Sequence, residues 1–284
     1  MTNNNYYQIA GHQICVSAEP ELLTLMTNYE PFAVSPQHPT IKLEIFNSYQ
    51  RLLYTEEYRQ TENGQTIICG RSRDNHPVFE FAWHNDITGL LICANDYSEA
   101  KLQITRQHLK ATIDTAMMIL FALGTASQAT VLCHAATISY QGKAYLFLGP
   151  SGTGKSTHAQ LWLQHIKDTQ LINDDNPVIR GNMVYGSPWS GKTPCYRQVR
   201  YPLGGLVVLS QAPHNKICRI NGVQAYAALV SSISGMRWDT CMAECLNATE
   251  QNLMDLFPIW HLECQPDKEA GMLCKSTITG DDSR

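Results

Sequence analysis

Long apolar runs, clustered positive charge and closely spaced cysteine pairs are all missing from this 284-residue chain. The most apolar stretch, Ala116 to Leu123, has eight residues. That is too short to cross a bilayer as a helix, which needs about 20 residues. Met1-Thr2-Asn3-Asn4-Asn5 carries neither the charged start nor the apolar run of a secretory signal. The expected compartment is therefore the cytoplasm, with no membrane partner. Charged residues make up only 16% of the chain, and 21 Lys and Arg against 25 Asp and Glu leave a net charge of −4. Counterion release on nucleic acid needs clustered cations, so nucleic acid is not an expected partner. A small anion remains one, because a local pocket can be positive in a mildly acidic protein. The ten cysteines form no C-x-x-C pair. Cys241 and Cys245 lie four apart, but no neighbouring His or Cys pair completes a zinc site. In a reducing compartment these thiols are expected buried rather than bridged. Fixed-period repeats and low-complexity segments are absent too.

What the chain does have is apolar substance. Hydrophobic residues reach 44%, enough for a sizeable core and against disorder. The expected fold class is α/β in the broad sense (α+β), with a β-rich N-terminal domain over residues 1–105. Ile41 to Phe46 alternates apolar and polar side chains. Thr66 to Cys69, Val78 to Trp83 and Gly89 to Cys93 are short β-favouring runs between turn residues, and together they predict a mainly antiparallel sheet. Between Lys101 and Leu123 the period becomes helical, with Ile104, Leu109, Ile113, Met117 and Leu120 on one face and Gly124 as the stop. Strands and helices then alternate over residues 106–278, the expected catalytic domain. Strands are predicted at Thr130 to Cys133, Thr137 to Tyr140, Ala144 to Leu148, Leu171 to Ile172 and Leu203 to Leu209, and helices at Gly154 to Ile166, Gly222 to Ser234 and Thr240 to Phe257. The polar residues 279–284 read as a loose tail.

Gly149-Pro150-Ser151-Gly152-Thr153-Gly154-Lys155-Ser156 fits G-x-x-x-x-G-K-[ST] at every fixed position, with a strand entering and a helix leaving. Glycines let the backbone curl so that several amides face one anion. The helix that follows turns its unpaired amides and positive dipole end toward that anion. Lys155 reaches β- and γ-phosphates, and the Ser156 hydroxyl joins a magnesium shell. The candidate phosphate-binding set is Gly149, Ser151, Gly152, Thr153, Gly154, Lys155, Ser156 and Thr157. The Thr153 and Thr157 hydroxyls either add contacts or cap the turn.

Asp174 and Asp175 follow a short apolar strand, 19 and 20 residues after Lys155. Two carboxylates at a strand tip beside a phosphate loop can divide the work between binding a metal and accepting a proton. Asp-Asp-Asn-Pro is also good turn chemistry on its own. His134 ends a strand 15 residues before Gly149. Further on, Gly186 to Pro194 is a polar loop whose Lys192, with Arg197 beyond it, can neutralise a transferring phosphoryl group. Its Trp189 can stack on a base or wall an acceptor pocket. An ordinary surface loop around a partly buried Trp would read the same way. Arg200 and Arg237 are weaker cations of the same kind.

Cys133-His134-Ala135-Ala136, the phosphate loop and Asn173-Asp174-Asp175 together resemble the catalytic domain of HPr kinase/phosphorylase, over Val131 to Ile179. The resemblance implies a nucleotide-binding core of the phosphoenolpyruvate-carboxykinase type, with ATP and Mg2+ as cofactors. It implies Lys155 on the β/γ-phosphates, Ser156 and Asp175 on the metal, and Asp174 as general base with His134 beside it. The two aspartates are interchangeable at this point. The chain departs from the family at Thr157, where an acidic residue is common, and lacks the C-terminal stretch tied to the reverse reaction. The expected function is ATP-dependent, Mg2+-requiring transfer of the γ-phosphoryl group to a hydroxyl, on Ser or Thr of a protein or peptide or on a small acceptor. The resemblance permits a homo-oligomer. The alternative is a non-catalytic ATP-binding sensor or scaffold module.

Overall fold

A computed structural model describes residues 2–280. The chain divides into two compact units, Met1–Gly124 and Thr125–Arg284. The first unit contains β1 (Asn3–Ile9), β2 (His12–Ala18), α1 (Pro20–Leu23), β3 (Ile41–Phe46), β4 (Tyr54–Glu62), β5 (Gln65–Ser72), β6 (Pro77–Trp83), β7 (Asp86–Cys93), β8 (Glu99–Ile104) and α2 (Leu109–Thr125). The eight strands form one sheet in the order β1-β2-β3-β8-β7-β6-β5-β4. Five of its seven neighbouring pairs are antiparallel; β3 runs parallel to both β2 and β8. The sheet is thus mixed, because β3 returns between its neighbours by crossovers rather than hairpins.

The alternation in β3 works as its sequence predicts: Ile41, Leu43 and Ile45 are buried, while Lys42, Glu44 and Phe46 are exposed. Helix α2 lies on this sheet. Its Thr112 hydroxyl is 2.9 Å from that of Thr88 on β7, Thr115 accepts from Gln65 of β5, and Phe121 meets the His12 ring edge-on. The helix therefore belongs to the first unit, and the chain divides after Gly124, beyond the expected boundary at residue 105. The helical pattern also started too early. Ile104 ends β8, and His108 at φ +52 turns the chain before α2 begins. Leu109–Gln128 is long and apolar enough to cross a membrane by length and composition, and 56% of its most apolar window is buried. Asp114 and three threonines break its apolar runs, which is why run length alone missed it.

The second unit contains β9 (Thr130–Leu132), β10 (Ala136–Tyr140), β11 (Lys143–Leu148), α3 (Lys155–His165), β12 (Gln170–Asn173), β13 (Val178–Arg180), β14 (Met183–Tyr185), β15 (Arg200–Gln211), β16 (Lys216–Ile220), α4 (Gly222–Ser232), α5 (Thr240–Leu256), β17 (Ile259–Cys264) and α6 (Lys268–Thr279). Its sheet is also mixed, ordered β12-β10-β11-β15-β14-β13-β9, with β17 and β16 added beside β15. One core cluster fills the space between this sheet and helices α3 and α6: Ile138, Tyr145, Phe147, Trp162, Val207, Leu262 and Cys274 are among its buried members. Trp162 is fully buried, stacked 6.0 Å from the Tyr145 ring. Thr279, expected in a loose tail, closes α6 against Gly280 in the left-handed region; residues 281–284 lie outside the described residues.

Strand direction decides where the chemistry collects. β10 is antiparallel to both β11 and β12. The C-terminal ends of β11 and β12 therefore share one sheet edge with the N-terminal start of β10. Those three ends lead into Gly149, Asp174 and His134 respectively. Residues far apart in the chain meet because of an antiparallel neighbour, not because of a crossover helix alone.

Candidate active site

The loop between β11 and α3 holds its shape through glycine. Gly149, Gly152 and Gly154 sit at φ +141, +81 and +101. A Cβ at Gly149 would come within 2.8 Å of Thr153 Oγ1, whereas Gly152 and Gly154 face open space with no atom within 4 Å. The first glycine is needed for packing, and the other two leave the loop's hollow open. The Thr153 hydroxyl donates to Pro150 O at 2.8 Å, and Gln211 at the end of β15 donates to Gly152 O at 3.1 Å. Thr153 therefore caps the turn. Ser151 and Thr157 are exposed. The Ser156 hydroxyl, half-buried in the first turn of α3, makes no hydrogen bond among the described residues.

Lys155 is buried, and its ammonium meets Gly149 O at 2.9 Å, Pro150 O at 3.1 Å and His134 Nε2 at 2.9 Å. An ammonium only donates, so His134 Nε2 accepts and the imidazole proton sits on Nδ1. That Nδ1 lies 3.0 Å from Asp175 Oδ1. A continuous chain, Lys155–His134–Asp175, thus runs from the phosphate loop to the carboxylate tip. His134 is held by its backbone, which donates to Ser232 O at 2.7 Å, while Ala135 N donates to Asp175 O at 2.9 Å. Neighbouring Cys133 is no nucleophile, because burial pushes its thiol up to about 12.

Asn173 shapes the acidic tip, a role with no sequence signal beyond the turn-forming run Asn-Asp-Asp-Asn-Pro. It is fully buried. Its Oδ1 accepts the amides of Asp175 at 2.9 Å and Asn176 at 2.7 Å, while its Nδ2 donates to Ser187 Oγ at 3.1 Å and Trp189 O at 3.0 Å. Asn176 in turn donates to Asp175 Oδ2 at 2.8 Å. Both Asp175 oxygens are therefore occupied. Asp174 differs. It is 3% exposed, its Oδ2 accepts the Thr193 amide at 3.0 Å, and its Oδ1 is buried with no hydrogen-bond partner. A buried, unpartnered carboxylate oxygen is costly unless a cation or proton donor completes it.

The loop from Ser190 to Cys195 covers this tip. A Cβ at Gly191 would stand 3.1 Å from Asp175 Cβ, tighter than an ordinary contact, so a larger residue there would press on the acidic tip. Lys192 is exposed, and its chain neighbours Gly191 and Thr193 are the ones that meet the aspartates. Arg197 does not join them. Its guanidinium donates to Leu171 O at 2.7 Å and Gln170 Oε1 at 3.0 Å, bracing edge strand β12. Trp189 is buried and serves as wall, not as an exposed stacking face. Arg237 forms a bidentate pair with fully buried Glu250. No family model matches the chain, and no curated protein sequence is significantly similar to it.

No group of three or more His, Cys, Asp or Glu at metal-binding distance occurs among the described residues. Magnesium on a nucleotide needs fewer, since phosphates and water complete its shell around one or two protein oxygens. The buried Asp174 Oδ1 and the unengaged Ser156 hydroxyl fit such a need. All ten cysteines are free, six of them buried as expected, with Cys218 and Cys241 exposed.

Proposed function

We propose that this protein is a kinase of the HPr-kinase-like type, with a phosphoenolpyruvate-carboxykinase-like core. It transfers the γ-phosphoryl group of ATP to a hydroxyl, with Ser or Thr of a protein or peptide as the favoured acceptor, in the cytoplasm. The observation that carries the reading is the Lys155–His134–Asp175 chain, which ties the phosphate loop to a carboxylate tip beside an unpartnered Asp174 oxygen. Anion binding alone calls for the loop but not for the tip.

In this reading the loop amides and Lys155 hold the β/γ-phosphates, and Lys192 meets charge that spreads over the moving phosphoryl group. Ser156 and Asp174 hold Mg2+, which supplies charge neutralisation on the phosphates when bound. Asp175 fixes the ring of His134, leaving Nε2 toward the loop; His134 and the aspartates handle the proton of the acceptor hydroxyl. This exchanges the roles first given to the two aspartates, because Asp175 has both oxygens engaged and Asp174 does not.

The test is transfer of label from γ-labelled ATP with Mg2+ to protein and peptide acceptors, run beside nucleotide titration. Lys155→Ala abolishes both. Asp174→Asn keeps polyphosphate binding and loses transfer by at least about a hundredfold, the scale of a preorganised electrostatic contact. A sensor module would bind nucleotide and show no transfer in the wild type at all.

A further inference from the structure

A lysine ammonium has three N–H donors. In Lys155 three acceptors match them: Gly149 O, Pro150 O and His134 Nε2, at 2.9, 3.1 and 2.9 Å. The ammonium is 7% exposed as a residue, so it does not reach freely into solvent for an incoming phosphate. Two of its acceptors belong to the loop that wraps the anion. The third belongs to a separate segment, held in place by the Ser232 and Asp175 carbonyls on either side of it. A phosphate oxygen can enter this set only by displacing a partner, and the imidazole is the one not carried along with the loop.

We propose that Lys155 and His134 form a latch: without polyphosphate the lysine closes the Nε2 lone pair of His134, and a bound polyphosphate draws the lysine away and opens it. The inference rests on the phosphate-loop reading given above and adds a coupling to it. Asp175 keeps the proton on Nδ1 throughout, so the ring does not flip when the lysine leaves; Nε2 is exposed toward the loop with its lone pair ready. The proton acceptor of the site is thus hidden until the donor phosphates are in place. Water and a stray hydroxyl find no open base in the empty enzyme. The binding equilibrium carries the cost of breaking the latch, because only the open form takes phosphate with full affinity.

This makes a prediction opposite to that of an ordinary phosphate-contacting histidine. His134→Phe removes the acceptor, loosens Lys155 in the empty protein and tightens binding of inorganic tripolyphosphate and of a non-hydrolysable ATP analogue. The expected gain is about fivefold, the equilibrium effect of one charge-assisted hydrogen bond at a half-exposed site. His134→Gln, whose amide oxygen can accept in place of Nε2, returns affinity to near the wild-type value. The second readout needs no substitution. In protein labelled with 15N-histidine, the Nε2 resonance of His134 moves when tripolyphosphate is added, while Nδ1 stays protonated. Wild-type binding with an unmoved Nε2 signal, or weaker binding by His134→Phe, overturns the latch and leaves the phosphate loop standing. Failure of the wild type to bind either polyphosphate overturns the phosphate-loop reading and the latch with it.

Discussion

Replacing Asn173 by Leu keeps the branched shape of the side chain, with bulkier methyl ends, and removes every polar contact it makes at the base of the acidic tip. The amides of Asp175 and Asn176 lose their acceptor, and Trp189 O and Ser187 Oγ lose a donor. Orphaning a buried polar group costs about 1–3 kcal/mol. Asp175 is half-buried and its amide can find water, and the Ser187 hydroxyl still donates to Asn176 O at 2.6 Å. The Trp189 carbonyl also lies 3.0 Å from the Ser187 hydroxyl, so the full penalty falls on the Asn176 amide alone, for a loss of about 2 kcal/mol. The turn that aims Asp175 at His134 relaxes as well, and displacement of catalytic groups by about 1 Å lowers turnover by about a hundredfold. The lysine loop has its own supports in Thr153 and Gln211, so polyphosphate affinity stays within about twofold. Urea denaturation followed by tryptophan fluorescence, phosphoryl transfer and polyphosphate titration measure the three quantities separately. Asn173→Asp gives an intermediate loss, since it keeps the acceptor for both amides but turns a carboxylate toward two carbonyl oxygens. If Asn173→Leu holds stability within about 1 kcal/mol and transfer within about twofold, side-chain capping by Asn173 is not what builds the tip.

Two other perturbations act on stability. Burial lowers His158 from an ordinary 6.5 to about 4, and Trp162 Nε1 donates to its Nε2 at 3.2 Å. Between those two pH values the unfolded chain binds a proton that the folded chain refuses, so stability falls as pH drops from about 6.5 to about 4, by a total of about 3 kcal/mol. His158→Phe removes that share of the slope in chemical denaturation at stepped pH; an unchanged slope refutes the assignment. Arg237→Ala leaves Glu250 charged, fully buried and unpaired, and lowers unfolding free energy by about 3–5 kcal/mol. Adding Glu250→Gln to it restores most of the loss, and a single variant as stable as wild type shows that the pair carries no weight.

Local patterns carried much of this structure. The glycine-rich loop between β11 and α3 was legible as a strand–turn–helix because its glycines, lysine and hydroxyl fall within eight consecutive residues. β3 and β11 were legible because their side chains alternate or stay apolar over whole strands. What escaped depends on distant partners. β13 and β14 have three residues each, too few for a period, and are held by pairing with each other and with β9 and β15. β4 is polar on both faces because it is a sheet edge, so it showed no alternation. β1, β2, β16, β17 and α6 went unassigned for similar reasons. His134, Lys155, Asp174 and Asp175 were candidates from the sequence and lie together, whereas Asn173 entered only as part of a motif and Ser187 and Thr193 had no role of their own, because their contacts reach 14 to 19 residues along the chain. Arg197 was misjudged because a cation near Lys192 in sequence says nothing about which way its side chain turns.

One strand sets a condition on how the second unit can be divided. β15 has twelve residues; its first three pair with β14, while the rest flank β11 on one side and β17 on the other. A fragment ending before Arg200 would strip β11 of its parallel neighbour and leave Tyr145, Leu146, Phe147 and Leu148 along an open rim. Such a rim invites self-association of the fragment. Excised pieces bearing the glycine loop should therefore extend through Gln211, whose amide also steadies Gly152.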